Sequence, residues 1–538
     1  MKLVKQYLFS IGLVASNFML STNANTKGES VKKNIEKKLP NILFCIADDA
    51  SFAHYSAAGC KWVKTPGFDR VANEGLFFAN AYTPNAKSAP SRACLLTGRN
   101  SWQLEEAGNH IGHWPDQKYQ TFMETLVKHD FFVGITGKGW APGNPGMLNG
   151  AVRKLTGQEY STKKMVPPTK MMGSIDYLAN FANFLKDKPA DKPFCFWYGS
   201  LEPHRAYEYG SGVKKGGRKL SDIDKVPNFW PDNDTVRNDM LDYAYEIEYQ
   251  DGHLVKMLNL LAEKGELENT IVIVTSDNGM PFPRSKGLQY EFSNHMPLAI
   301  MWPKGIKNSG RIIADYVSFI DIAPTILDAA GVEWRSSGME PTAGKSLTDI
   351  FENKKIHDRS SILLGQERHD VGRPNNQGFP IRSIIKDGFL YSYNFKPELW
   401  PVGNPETGYL NTDGSPTKSF ILNMRREGVD KGYWNLCFGK HAQEEMYQIS
   451  VDKECLVNLT DKTEYQKQKE MMKKLLFEEL KKQKDPRVLG NGNVFDNYPF
   501  ADSKSTNFYE RYMNGETDLK FKTNWANSTD YESGVINP

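Results

Sequence analysis

The sequence predicts an α/β fold: a large, mostly parallel mixed sheet sandwiched by helices, followed by a smaller C-terminal α+β domain containing an antiparallel sheet. Three observations carry this. Short, continuously apolar runs recur along the first 300 residues. Amphipathic stretches alternate with them. The alternation fades after about residue 375. Strands apolar on both faces are buried on both faces, and the helices between them supply the crossovers that parallel pairing needs.

The expected strands are N-I-L-F-C-I-A (41–47), F-F-V-G-I-T (131–136), F-C-F-W-Y-G (194–199), T-I-V-I-V-T (270–275) and L-A-I-M-W (298–302). Each is short, rich in β-branched or aromatic residues and bounded by turn formers. Helices are expected at 122–129, 175–186 and 245–261. Beyond residue 375 the chain is richer in Tyr, Gly, Asn and Pro. I-R-S-I-I-K-D-G-F-L-Y-S-Y reads as a hairpin and 463–483 as a helix. The last fifty residues are polar and irregular, and are expected to wrap the surface.

The N-terminus has its own pattern. M-K-L-V-K-Q is basic, the next fourteen residues are apolar, and small residues follow. That order is a secretory signal, too short for a membrane span. The expected organisation is a signal peptide at 1–24, a charged linker at 25–37, a catalytic domain at 38–375 and a C-terminal subdomain at 376–538. The expected location is the periplasm or the medium, with no transmembrane segment. A net charge of +3 in 538 residues gives no bulk attraction for nucleic acid, and none is expected as a partner. Of six cysteines, Cys45 and Cys195 fall inside strand runs and read as buried thiols. Cys437 and Cys455 are close enough in sequence to pair.

In open α/β sheets, function gathers beyond the carboxyl ends of the strands. The strand ends here deliver Asp48-Asp49, Gly137-Lys138-Gly139-Trp140, Glu202-Pro203-His204-Arg205 and Ser276-Asp277-Asn278-Gly279. Asp48, Asp49, Asp277 and Asn278 offer only oxygen donors, which suits Ca²⁺ or Mg²⁺ and not a thiolate metal. Either pair alone would read as ordinary turn residues. Arg92, Lys138, His204 and Lys286 add positive charge and proton donors, as a tetrahedral oxyanion would need. Pro90 opens a helix whose first amides favour an anion beside Ser88.

Ser88-Ala89-Pro90-Ser91-Arg92, then Thr97-Gly98-Arg99, resembles the signature of the type I sulfatases in the alkaline phosphatase superfamily. The D-D, G-K, P-H and S-D-N-G motifs stand in that family's order. The resemblance spans about residues 38–460, with a loosened late segment at 444–459. It implies an alkaline-phosphatase-like fold and a sulfuric ester hydrolase. It also implies that Ser88 is oxidised to formylglycine by an anaerobic maturating enzyme, as in serine-type bacterial sulfatases. One hydroxyl of the hydrated aldehyde would attack sulfur. The other would lose its proton to expel sulfate, a release step plain serine lacks. Asp48, Asp49, Asp277 and Asn278 would hold Ca²⁺, with the modified Ser88 as a further ligand. Arg92 and Lys138 would hold the formylglycine and sulfate, and His204 and Lys286 would face the leaving oxygen. His204 is the first choice of general acid.

The family commonly carries a histidine two residues after the G-K lysine, and Trp140 stands there instead. His110 or His113 is one substitute. The other reading is that Trp140 simply packs and another residue takes over. S-D-N-G-M-P-F-P-R-S-K, E-P-H-R and F-P-I-R-S-I look closest to the heparan N-sulfatase (sulfamidase) branch, so N-sulfate and O-sulfate both stay open. The expected substrate is a sulfated glycan, of glycosaminoglycan or mucin type, attacked at a terminal sugar. Candidate sugar contacts are Glu105, Asn109, His110, His113, Arg205, Tyr207, Arg368, His369 and Arg373. Trp114, Trp140 and Trp230 could stack on sugar, with packing the plainer reading. Two rivals remain. One is a phosphoryl hydrolase of the same superfamily, against which the S-x-P-S-R signature and the lack of zinc-type histidine spacing count. The other is a non-catalytic glycan-binding protein.

Overall fold

A computed structural model describes residues 38–516 and 525–536. The predicted signal peptide and the linker lie outside the described residues. Among those described, no helix is long and apolar enough to cross a membrane.

The central sheet has eight strands: β1 (Asn41–Ala47), β2 (Leu76–Phe78), β3 (Phe132–Gly137), β4 (Gln158–Glu159), β5 (Phe194–Gly199), β6 (Thr270–Ser276), β7 (Leu298–Met301) and β8 (Arg311–Ile313). Their spatial order is β8-β2-β7-β6-β1-β5-β3-β4. Parallel pairing runs through β6-β1-β5-β3, and β7 enters antiparallel beside β6. Every residue of β1 is buried. Leu43, Cys45 and Ala47 face one core, and Ile42, Phe44 and Ile46 face the other. This alternation is why β1 reads as an unbroken apolar run. Phe44 stacks on Trp197 of β5 at 4.6 Å, so truncating it would open a cavity costing about 3–5 kcal/mol.

Helices cover both faces. They include α1 (Ser88–Thr97), α2 (Phe122–Lys128), α3 (Tyr177–Asp187) and α4 (Asp234–Glu263). The last is longer than its apolar period indicates. Asn233 caps it by accepting from the amides of Thr235 and Val236, and a polar first turn precedes the apolar stripe.

A four-stranded antiparallel sheet follows, built from β9 (Ser361–Gln366), β10 (Ile381–Lys386), β11 (Phe389–Asn394) and β12 (Glu444–Tyr447) in that order. It therefore begins upstream of the boundary read near residue 375. Strands β10 and β11 form the hairpin expected from the sequence. Helix α5 (Gln466–Lys482) covers the sheet with Met472, Leu476 and Leu480. The described residues from Leu39 on form one compact unit. All six cysteines are free, including Cys437 and Cys455, so the open question of a disulfide between them is answered in the negative.

Candidate active site

The ends of β1, β6, β3 and β5 meet at one edge of the sheet. Register places Ala47 opposite Ser276 and Gly199 opposite Gly137, so the residues that follow project together. Gly137 has φ 80°, and a side chain on it or on Gly199 would strike backbone oxygen at 2.0 Å. Only glycine allows that approach. It lets the Lys138 amide bond Gly199 O at 2.7 Å and aims Lys138 across the site.

Ser88 is the first residue of α1, a helix whose ten residues are all buried. Its hydroxyl donates to Asp48 Oδ1 at 3.2 Å and lies 3.2 Å from Lys138 Nζ and 3.4 Å from Asn278 Oδ1. Lys138 Nζ grips both Asp48 oxygens at 2.7–2.8 Å. Arg92, one turn on, donates from Nε to Asp277 at 2.8 Å and from Nη2 to Asp48 at 3.3 Å. Its Nη1 reaches the carbonyls of Lys138 and Gly139. Arg92 is fully buried and does not line the cavity, so it positions the carboxylates and the Lys138 loop.

Asp49 adopts φ 79°, an unusual backbone for a non-glycine residue that its neighbours must enforce. Its amide donates to Asp277 Oδ1 at 3.0 Å, and Asn278 Nδ2 donates to its Oδ1 at 2.7 Å. Lys286 Nζ bridges Asp49 and Asp413 at 2.7 and 2.8 Å and sits 3.3 Å from His204 Nε2. His204 Nδ1 lies 2.7 Å from Arg205 O. A carbonyl only accepts, so Nδ1 carries the proton and Nε2 is the atom free to gain or give one.

The electrostatics follow from this pairing. Burial pushes the Asp48 carboxyl up, but Lys138, with His204 and Arg92, outweighs it and holds Asp48 below its ordinary range. Burial pushes the Lys286 ammonium down, but Asp413 and Asp49 hold it well above its usual value. Asp413 is held low against burial chiefly by Lys286. Oxygens of Asp48, Asp49 and Asp277 lie within 4.8 Å of one another, all buried. With the Asn278 amide oxygen they form an oxygen-only donor set that fits a hard divalent cation. The second acidic group, Asp49, His204 and Asp413, is filled by the Lys286 ammonium.

A cavity of about 550 Å³ opens onto Ser88, Lys138, His204 and Lys286. Of the nine sugar-contact candidates only His110 lines it. Its Nδ1 pairs with Asp370 at 2.9 Å, and Lys87 Nζ meets the other Asp370 oxygen at 2.5 Å. Burial lowers the His110 pKa despite Asp370, and Lys87 and His110 hold Asp370 low against burial.

The other candidates are placed elsewhere. Arg205 chelates Asp239 at 2.7 and 2.8 Å, stacks on Phe282 and lines an adjoining cavity that also opens onto Asp48, Lys138 and His204. Tyr207 donates to Pro203 O. Asn109 and Arg368 bond backbone carbonyls of residues 495–499, and Arg368 stacks on Phe500 at 3.8 Å. Arg373 holds the carbonyls of Trp400 and Pro401. His369 sits between Asn85 and Asn411. His113 faces Phe500 O, and Glu105 pairs with Lys118 at the surface.

Trp140 is buried edge-on against Trp114 at 5.2 Å, which fits the reading that it packs. Trp114 and Trp230 are buried as well, with indole nitrogens bonded to carbonyls. The sequence reading missed Lys87, Asp370 and Asp413, and it missed the C-terminal wall formed by Asp502–Ser505, Phe508 and Trp525. Lys87 carries a faint signal as the residue before Ser88. Asp413, in T-D-G, looks like any turn.

Comparison with known proteins follows the same lines. The family model described as Sulfatase matches residues 40–332. An N-acetylglucosamine-6-O-sulfatase of Bacteroides thetaiotaomicron is 27% identical, covering 83% of this chain and 87% of its own. A human N-sulphoglucosamine sulphohydrolase is 26% identical, covering 85% and 93%. A solved structure of a protein in complex with its substrate D-glucosamine-2-N,6-O-disulfate superposes with a TM-score of 0.55 at 22% identity, covering 83% of this chain and 99% of that one.

Proposed function

The chain belongs to the sulfatase family, and we propose that it hydrolyses sulfate from a terminal sugar of a sulfated glycan. The observation that carries this reading is the position of Ser88. It stands at a helix start on a cavity wall, within 3.4 Å of two acceptor oxygens and the Lys138 ammonium. Curated relatives that act on sulfated glucosamine cover most of the chain and support a sugar substrate. Glucosamine 6-O-sulfate is the first candidate. N-sulfate is the alternative, because the sulphohydrolase relative covers the chain as fully.

Matured to formylglycine by an anaerobic maturating enzyme, residue 88 would supply a hydroxyl nucleophile that can be regenerated. Asp48, Asp49, Asp277 and Asn278 would hold calcium, which when bound polarises sulfate oxygens. The chain's own residues do the rest. Lys138 lies against the Ser88 oxygen and offsets charge developing there. Lys286, held cationic by Asp49 and Asp413, faces the same cavity. With the ring in its imidazolium form, His204 Nε2 donates a proton to the leaving sugar oxygen and is left as the neutral Nδ1–H tautomer. Arg92 acts as a positioning residue. The signal-like N-terminus supports export to the periplasm.

The test is a mass spectrum of the Ser88 peptide after co-expression with an anaerobic maturating enzyme, paired with a sulfate-release assay. Formylglycine is two hydrogens lighter than serine. Unmodified Ser88 beside an active maturase, or a matured protein that releases no sulfate from a broad glycan panel, would overturn the reading. Equal release from internal and terminal positions of long polymers would overturn its exo part.

A further inference from the structure

The cavity has two unlike walls, and the second has no role in the chemistry above. It is built by the C-terminal segment, from Asp502 to Phe508, together with Trp525. The segment is held in place by its backbone. Arg368 donates to the carbonyls of Tyr498 and Pro499, Ala501 N bonds Ile111 O at 2.8 Å, and Gly414 N bonds Trp525 O at 2.6 Å. The Trp525 indole is fixed by its own donation to Leu410 O at 2.9 Å. It packs, half-buried, with Ile111, Val371 and Phe508.

Charge separates the two walls. Three lysines on the deep wall are each committed to carboxylates: Lys87 to Asp370, Lys138 to Asp48, and Lys286 to Asp49 and Asp413. Lys504 lines the same cavity, is exposed, and makes no ion pair among the described residues. The nearest acid in sequence, Asp502, is occupied in accepting from Ser505 N and Oγ at 2.8 and 3.0 Å. Among the described residues, the cavity is thus lined by a cation without an ion pair, Lys504, and by a fixed aromatic surface, Trp525, as well as by the residues that would hold the scissile sulfate.

We propose that this C-terminal wall is a subsite for an anionic saccharide carrying a second negative charge beyond the sulfate removed, with Trp525 as the platform for the sugar ring and Lys504 as the partner of the second anion. The proposal rests on the sulfatase reading of the Ser88 end of the cavity. The pyranose lies its apolar face on the indole, and a second sulfate or a carboxylate meets the ammonium. Because Lys504 is exposed, its contribution is modest and falls with salt.

The test uses the full chain carrying Ser88→Ala, so that binding is read without turnover. Calorimetry at low salt compares D-glucosamine-2-N,6-O-disulfate with the two glucosamine monosulfates. The disulfate should bind about fivefold tighter or more. Lys504→Gln should erase that preference, and Lys504→Arg should keep it. Trp525→Ala should weaken all three sugars in parallel, with circular dichroism confirming an intact fold. A Lys504→Gln protein that keeps the preference overturns the subsite. So does a parent that shows no preference, or that binds none of the three. Sulfate release by the matured wild type is measured separately on the same sugars. Lys504-dependent binding without release sinks the sulfatase reading and spares the subsite, while release without Lys504-dependent binding does the opposite.

Discussion

The deep wall and the C-terminal wall of the cavity are built on opposite principles. The deep wall stands on the ends of core strands. Its lysines and arginine are mostly buried and each is answered: Arg92 by Asp277, Lys138 by Asp48, Lys286 by Asp49 and Asp413. The C-terminal wall stands on irregular chain, exposed at Asp502, Ser503 and Lys504, and is tied down through backbone carbonyls. A buried charge network tolerates no loose member, because each unpaired charge carries its full desolvation penalty. A backbone-anchored loop tolerates side-chain change freely. On the proposed assignment, the fold separates what must not vary, the chemistry, from what can, the choice of sugar.

The largest break in this contrast is expected from Arg92→Ala. It leaves Asp277 and Asp48 without their shared partner and frees the carbonyls of Lys138 and Gly139. Breaking a buried pair of this kind costs about 3–5 kcal/mol, readable by denaturant unfolding, and turnover should vanish with it. Ser88→Ala should abolish turnover alone, because its hydroxyl bonds of 3.2–3.4 Å are long and hold little together. If Arg92→Ala unfolded no earlier than Ser88→Ala, the deep wall would not be the interlocked unit described.

Next in size is His204→Gln. His204 is a third exposed and has no strong ion pair, with Asp49 at 3.8 Å. Stability should change little. Loss of a general acid should slow sulfate release from a sugar alcohol by roughly 10²–10⁴. An activated aryl sulfate, whose leaving group needs no proton, should be affected far less. Equal losses on both substrates would remove His204 from the acid role.

Arg368→Ala addresses the other wall. The carbonyls of Tyr498 and Pro499 lose their donor and Phe500 loses its stacking partner, at a cost of about 1–3 kcal/mol confined to the segment. KM should rise about tenfold with kcat within about twofold, and proteolytic nicking near residues 500–510 should speed up. A matched fall in kcat would mean the segment takes part in the chemistry.

The same division explains what could be read from the sequence. Strands β1, β3, β5, β6 and β7 are legible because burial on both faces leaves an unbroken apolar run. The three residues of β2 and the two of β4 are too short to leave any pattern. Asp48, Asp49, Lys138, His204, Asp277 and Asn278 could be placed together because each lies within five residues of the end of a core strand, and parallel register brings those ends to one edge. Asp413 could not, since its partner Lys286 lies 127 residues away and only tertiary packing joins them. Arg368 and Arg373 do not line the cavity that holds Ser88, for one shared reason. A charged loop reads as solvent-facing, yet guanidinium groups are well suited to collecting carbonyls in a buried position. Trp114, Trp140 and Trp230 are buried, while Trp525 was lost in a polar tail whose course no local periodicity records.

The smallest expected effect is the sharpest check on that lesson. Glu105 looked like a sugar contact in sequence. In the structure it pairs with Lys118, with both side chains more than 40% exposed, and it does not line the cavity that holds Ser88. Its φ is 51°, a strained backbone that Gln would inherit unchanged, so Glu105→Gln removes the charge and little else. An exposed pair is worth about 0–1 kcal/mol and less in salt. Sulfate release, KM and unfolding midpoint should all stay close to wild type. A several-fold rise in KM for Glu105→Gln would mean that substrate extends beyond the cavity onto the surface near Lys118. The recognition face would then be wider than the C-terminal wall, and the assignment of sugar choice to that wall would have to be redrawn.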